Sequence, residues 1–179
     1  MAINKETGEV EKGVALFDIS KVGFIHLRND CSVGGGVFKC GDSVVLSKQV
    51  SATLVDAVVF KDRAFFTKKG KDPEPQDWIQ LLFINNKNGV PLSTLIKTRS
   101  LKGFEKFVQA ILAKKENPVG VKFDMQFADG TGVDDKGESF KYKYIVFEIS
   151  EEKSIHKDFA LELRAKLDSG EIQAPDFLG

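Results

Sequence analysis

Long hydrophobic runs are missing from this chain of 179 residues. No uncharged apolar stretch approaches the roughly 18 residues that a membrane-spanning helix needs. Cysteine is scarce: Cys31 and Cys40 are the only two, too few for a disulfide framework. Two thiols are half of a tetrahedral zinc site, and no second pair or nearby histidine cluster completes it. Reduced thiols packed as small apolar side chains are the preferred reading. Histidine is equally sparse, and neither His26 nor His156 neighbours a serine or cysteine in a recognised nucleophile motif. Internal repeats are absent. The opening residues, MAINKETGEVEKG, carry charge and no apolar stretch, so no secretory signal is expected and the chain reads as cytoplasmic. No catalytic residue, metal or cofactor is indicated, and the expectation is a protein that is not an enzyme.

What is present is ordinary globular material: 42% hydrophobic and 29% charged residues. That supports one domain, or a domain with a small extension, and a core that needs no staples. Formal net charge is zero, from 26 basic and 26 acidic residues. The distribution is uneven. Residues 61–115 hold 12 lysines and arginines against 5 acids, and residues 151–179 hold 4 against 7. A basic middle with an acidic end attracts polyanions while limiting unproductive binding. The plain alternative is a solvated surface, since strong nucleic-acid binders usually have a basic pI, and here it is near 6.7.

Along the chain, residues 1–12 read as a flexible arm. Residues 13–48 read as short strands: Val14–Phe17, Val22–Leu27, Val37–Phe38 and Val44–Leu46. Gly34–Gly36 marks a turn and lacks the lysine and hydroxyl residue of a phosphate loop. Residues 50–60 form a strand, with a tight turn at Lys61–Arg63 into Ala64–Thr67 and a charged, Pro-containing loop over 68–77. Strands follow at 78–85 and 90–97 around an Asn86–Gly89 hairpin turn. Ser100 is placed as the N-cap of a helix carrying Leu101, Phe104, Phe107, Val108, Ile111 and Leu112 on its apolar face. Val121, Phe123, Met125 and Phe127 then alternate as a strand, and the last strand covers 140–149. A second helix starts at Ser154, covers about 154–168 and stops at Gly170, leaving 170–179 as a flexible tail.

This order predicts a mainly β, α+β domain over 13–169 with two helices. It is an OB-like small β-barrel over about 48–150, with an N-terminal β extension and a C-terminal helix. Small barrels of other topologies stay open. In the final strand Phe140, Tyr142, Tyr144 and Val146 share one face, while Lys141, Lys143, Ile145, Phe147 and Ile149 share the other. Aromatic rings stack on unpaired bases and lysines neutralise phosphates; the plain alternative packs these rings under the second helix or the N-terminal extension. The same logic selects Arg63, Phe65, Phe66, Lys68 and Lys69 in an early hairpin, with Trp78 after the loop. Lys97 and Arg99 complete the nucleic-acid-binding set as cations of the basic segment. The loop containing Asp129, Asp134, Asp135 and Glu138 lacks EF-hand spacing and reads as a solvated hairpin loop.

The Phe-rich basic hairpin, the Ser100 helix, the acidic hairpin loop and the Tyr-rich final strand resemble the OB-fold single-stranded DNA-binding proteins of phages and bacteria. The resemblance implies a non-catalytic binder of single-stranded nucleic acid, DNA ahead of RNA. It also implies recruitment of replication or repair proteins by an acidic tail with a hydrophobic tip, here Glu171, Asp176, Phe177 and Leu178. An exposed strand edge or the last helix leaves a homo-oligomer open. The competing expectations are a protein-interaction or virion structural module and, behind it, a metal-dependent nuclease using the aspartate loop.

Overall fold

A computed structural model describes residues 23–32, 34–47, 49–63 and 75–176. Eight strands form one sheet that curls into a half-barrel. In chain order they are β1 (Ile25–Asp30), β2 (Val37–Cys40), β3 (Ser43–Ser47), β4 (Gln49–Arg63), β5 (Pro75–Asn85) and β6 (Pro91–Lys97), then β7 (Lys122–Val133) and β8 (Ser139–Ile149). Helix α1 (Thr98–Ala113) separates β6 from β7, and α2 (Lys157–Ser169) closes the chain. The spatial order is β3-β2-β1-β6-β5-β4-β7-β8. Strands β4, β5 and β6 form a meander, and β7 returns to pair with β4, from Gln49↔Gln126 to Thr53↔Lys122. That return is a Greek key.

The near-continuous apolar run of β5 follows from being covered on both faces. Ile79, Leu81 and Phe83 point into one core, and Leu82 and Ile84 into another. The first core takes Phe104, Phe107 and Ile111 from one stripe of α1, with Phe107 5.1 Å from the Phe123 ring and Phe104 5.2 Å from Phe147. The second core takes Ala160 and Leu163 of α2, packed with Phe24 and Val55. A bulge between Leu54 and Asp56 places both Val55 and Asp56 on the α2 side. There Arg164 Nη1 donates to Asp56 Oδ1 at 2.6 Å.

Strand β1 serves two partners. It runs parallel to β6 from Ile25↔Leu92 to Leu27↔Thr94, then leaves to pair with β2. Past the departure point, Asn29 Nδ2 donates to the Leu95 carbonyl and to Thr94 Oγ1. The far end of the sheet curls back to this place. The Lys143 amide donates to the Cys31 carbonyl at 3.0 Å, the Ile145 amide to Ser100 Oγ at 2.9 Å, and the Phe38 and Phe127 rings lie 5.1 Å apart.

The mainly β fold with two helices is as expected, and five local expectations change. The strands anticipated as an N-terminal extension belong to the same sheet as the rest. Lys61–Arg63 continues β4 and is not a turn. Ser100 is not the N-cap: α1 begins at Thr98 after Lys97, and the Ser100 hydroxyl serves β8. Ser154 lies before α2, which begins at Lys157, and its Oγ accepts from the His156 amide. Gly170 does end α2, in the left-handed conformation. The segment after it, expected to be flexible, lies against the sheet as far as it is described. Ile172 is buried in the second core, and Gln80 Nε2 donates to the Pro175 carbonyl at 2.7 Å. The arm over 1–12, the strand at Val14–Phe17 and the Ala64–Thr67 segment lie outside the described residues.

Candidate nucleic-acid interface

Where β1 leaves β6, the sheet opens into a cleft of about 900 Å³. Its walls are the end of β1, the ends of β4 and β6, the first turn of α1, and Tyr142, Lys143 and Tyr144 of β8. The volume is that of a small-molecule or nucleotide site. The chain has one tryptophan and two tyrosines, and all three line this cleft.

Trp78 forms a wall. Its strand register places it between Phe60 and Lys97, stacked on Phe60 with centroids 6.5 Å apart, while Lys97 Nζ stands 4.9 Å from the ring centroid. At 4% exposure it offers no open face for a base. The open aromatic surface is on β8. Phe140, Tyr142 and Tyr144 form a ladder with centroid spacings of 6.0 and 6.2 Å. Phe140 is half exposed and both tyrosines are partly so; none is packed in the α2 core. The neighbouring strand makes room for them with glycine. Gly130 lies opposite Tyr142 and Gly132 opposite Phe140, where added Cβ atoms would stand 2.7 Å and 2.5 Å from the respective rings.

Two consecutive odd-numbered cations reach different rings. Arg99 lays its guanidinium 4.0 Å from the Tyr144 centroid and donates through Nη1 to Tyr142 Oη at 3.1 Å. Lys97 goes to Trp78. Between them Thr98 adopts φ 53°, the left-handed region that β-branched residues rarely enter. The first turn of α1 carries no acidic residue and no side-chain cap, so its amide dipoles add partial positive charge at the cleft mouth.

Burial lowers the Lys97 pKa, and the hydrogen bond to Tyr142 raises that of Arg99. Burial, with the Asp30 carboxylate close by, pushes the Cys31 thiol up to about 11; it is no nucleophile at neutral pH. Burial also lowers His26, whose Nδ1 lies 3.2 Å from Ser93 Oγ. Of the lining acids, Asp30 is paired with Lys39 at 2.8 Å. Lys143 is itself paired with Asp129 at 2.7 Å.

Of the residues expected from sequence, Trp78, Lys97, Tyr142, Lys143 and Tyr144 come together at the cleft, Arg99 joins through the tyrosines, and Phe140 extends the ladder. Lys141 is exposed on the opposite face of β8. Arg63 ends β4 with its side chain outside the described residues, as are Phe65, Phe66, Lys68 and Lys69. The sequence reading missed Phe60, Asn29 and Arg28, which also line the cleft. Only the cross-strand register with Trp78 brings Phe60 there. In the aspartate loop, Asp134 Oδ1 accepts from the Lys136 and Glu138 amides at 2.8 and 2.9 Å, the work of a turn residue. No group of three or more histidine, cysteine or carboxylate side chains suited to a metal occurs among the described residues. No helix among them is long and apolar enough to cross a membrane. No family model, curated protein or solved structure matches the chain.

Proposed function

We propose that the protein binds single-stranded nucleic acid without catalysing a reaction, using the β8 aromatic ladder and the cleft beside it. The observation that carries this reading is the ladder itself: three part-exposed rings in a row, one holding an arginine on its face, leading to a cleft rimmed by cations. Ring spacings of 6.0 and 6.2 Å are nearly twice the roughly 3.4 Å rise of a duplex strand. Bases on successive rings must therefore be splayed, which a single strand permits and a duplex does not. Arg99 on Tyr144 presents a second planar surface to a base while its charge meets the backbone.

The topology supports the same reading. A meander β4-β5-β6, a helix, and a hairpin β7-β8 that returns beside β4 come in the element order expected of an OB barrel, a partly open Greek-key barrel that binds oligonucleotides along one face and its flanking loops. Here β1 fills the place where such a barrel closes. DNA is the first ligand to test. The alternative, a protein-interaction or virion structural module, draws on the zero net charge and expects no oligonucleotide binding at any salt concentration.

The test is anisotropy of labelled oligo-dT at low and moderate salt with duplex as control, followed in parallel by the intrinsic fluorescence of Trp78, the single tryptophan. Binding to the single strand with a change in Trp78 emission is expected. Tyr142→Ala and Tyr144→Ala should each weaken it by about 5- to 100-fold, the 1–3 kcal/mol of one stacked base. Equal affinity for duplex, or tyrosine variants that bind like the parent, would end the reading.

A further inference from the structure

Arg99 is held from two sides. Its guanidinium carbon stands over the face of Tyr144, 4.0 Å from the ring centroid, and Nη1 donates to Tyr142 Oη at 3.1 Å. Its backbone is fixed as well. Arg99 sits on the first turn of α1, and the next residue, Ser100, accepts the Ile145 amide through Oγ at 2.9 Å, one position along β8 from Tyr144. The side chain is exposed. No carboxylate pairs with it among the described residues, and Nε and Nη2 make no hydrogen bond there. A guanidinium carries five N–H donors in a rigid fork, so these two contacts leave a donor edge open at a fixed place. Lys97 and Lys143 are engaged differently: Lys97 Nζ stands 4.9 Å from the centroid of buried Trp78, and Lys143 is paired with Asp129.

An open pair of donors fits either two oxygens of a phosphate or the O6 and N7 acceptors of guanine, the commonest base-specific partner of arginine. Position decides between them. Arg99 lies on a ring of the ladder, in the row where bases stack, and a group in that row meets base edges first. Adenine sets its N6 donor beside N7, which opposes a second N–H. Given the single-strand reading on which this rests, we infer that Arg99 reads a guanine at the Tyr144 end of the ladder, positioned for it by the Tyr142 hydroxyl, so that the preferred ligand is a single strand carrying guanine. Tyr142 then has two tasks: its ring takes one base, and its oxygen holds the reader of the next. The cleft lined by Tyr142 and Tyr144 has room for a purine. Where no guanine is present, as on oligo-dT, the Arg99 charge meets the backbone.

Competition anisotropy on the full chain tests it, with circular dichroism confirming that each variant is folded. The competitors are a short oligo-dT and the same strand carrying one central guanine, adenine, or deazaguanine that lacks N7. Flanking thymines let the strand slide until the purine meets Arg99. Guanine and its deaza analogue stack alike, so the ratio of their affinities isolates the paired hydrogen bonds. In the parent the guanine strand should bind at least about fivefold tighter than the deazaguanine strand, with adenine no better than deazaguanine. Arg99→Lys keeps the charge and loses the fork, so the ratio should fall to about one while the salt dependence on oligo-dT stays. Tyr142→Phe keeps the ring and frees the guanidinium, and should bring the ratio below about two. Equal affinity for the guanine and deazaguanine strands, with oligo-dT still bound, overturns the inference and leaves the nucleic-acid reading standing. A ratio that survives Arg99→Lys or Tyr142→Phe overturns it too. Failure of every strand to bind ends both.

Discussion

Replacing Ser100 by alanine tests how the half-barrel is held shut. Ser100 is 6% exposed and Ile145 1%, and the hydroxyl accepts the Ile145 amide at 2.9 Å across 45 residues of sequence. Alanine leaves that amide without its acceptor, which costs about 1–3 kcal/mol when the group stays dry. Alanine is also the better helix former by about 0.5 kcal/mol, so the net loss is about 1–2 kcal/mol. With a urea slope of about 2 kcal/mol/M for a chain of this size, the unfolding midpoint falls by about 0.5–1 M. Urea unfolding gives the magnitude, and amide hydrogen exchange gives the location: Ile145 should lose protection while β5 amides keep theirs. Lys102→Ala, exposed on the same helix, should stay within about 0.5 kcal/mol of the parent. A Ser100→Ala midpoint indistinguishable from that control, with Ile145 still protected, would show that the α1–β8 contact does not depend on this bond.

Two further predictions concern the ladder and the cleft wall. Gly130→Ala puts a methyl where the Tyr142 ring lies; the ring is part-exposed and can swing away, so stability should change by less than about 1 kcal/mol. Oligonucleotide affinity should nevertheless fall as far as in Tyr142→Ala, and a fully active Gly130→Ala protein would show that ring placement is irrelevant. Asp30 accepts from Lys39 Nζ and from the amide and hydroxyl of Ser32, which hold its carboxyl well below the usual range. A depressed folded-state pKa contributes stability above the unfolded value of about 3.9 and loses it as pH falls through the folded value. The stability gap between parent and Asp30→Asn should therefore be flat from pH 8 to about 5 and close below about pH 4; a gap that persists undiminished to about pH 2 contradicts the assignment.

Signals confined to one element were legible in the sequence. The alternation Val121, Phe123, Met125, Phe127 places Phe123 and Met125 in the core of β7, and Asn86–Gly89 turns because Gly89 takes φ 71°. Ser100 misled for a physical reason. A serine before an apolar helical stripe is a cap only if no other donor claims its oxygen, and here a strand far along the chain does. Ser154 has the same history, bonded to the His156 amide and touching Thr53. The tyrosines on one face of β8 were visible from period two alone. That they stay partly open was not, because it depends on α2 packing over β4 and β5 instead and on glycines opposite them. The parallel pairing of β1 with β6 links segments 67 residues apart at Ile25↔Leu92, and no local pattern announces it. The cleft exists only because of that pairing and its end.

Total charge is a poor guide to this site. Of the 12 cations over 61–115, only Lys97 and Arg99 are found at the cleft and its tyrosines among the described residues. Lys61 lies 3.7 Å from Asp77, away from the cleft. Arg28, which also lines the cleft, comes from outside the basic segment. In the proposed interface three cations, Arg28, Lys97 and Arg99, meet the strand, and each neutralised phosphate of a single strand contributes about −0.7 to the slope of log affinity against log salt. The proposed site accordingly calls for a slope of about −2, where a surface using the whole excess of seven charges would give about −5. Stacking carries the remainder of the affinity and does not respond to salt. A slope near −5 would move the interface away from the ladder and onto the basic segment between β4 and β5. A slope near −2 with loss on Tyr142→Ala would tie neutral net charge and nucleic-acid binding to one small surface.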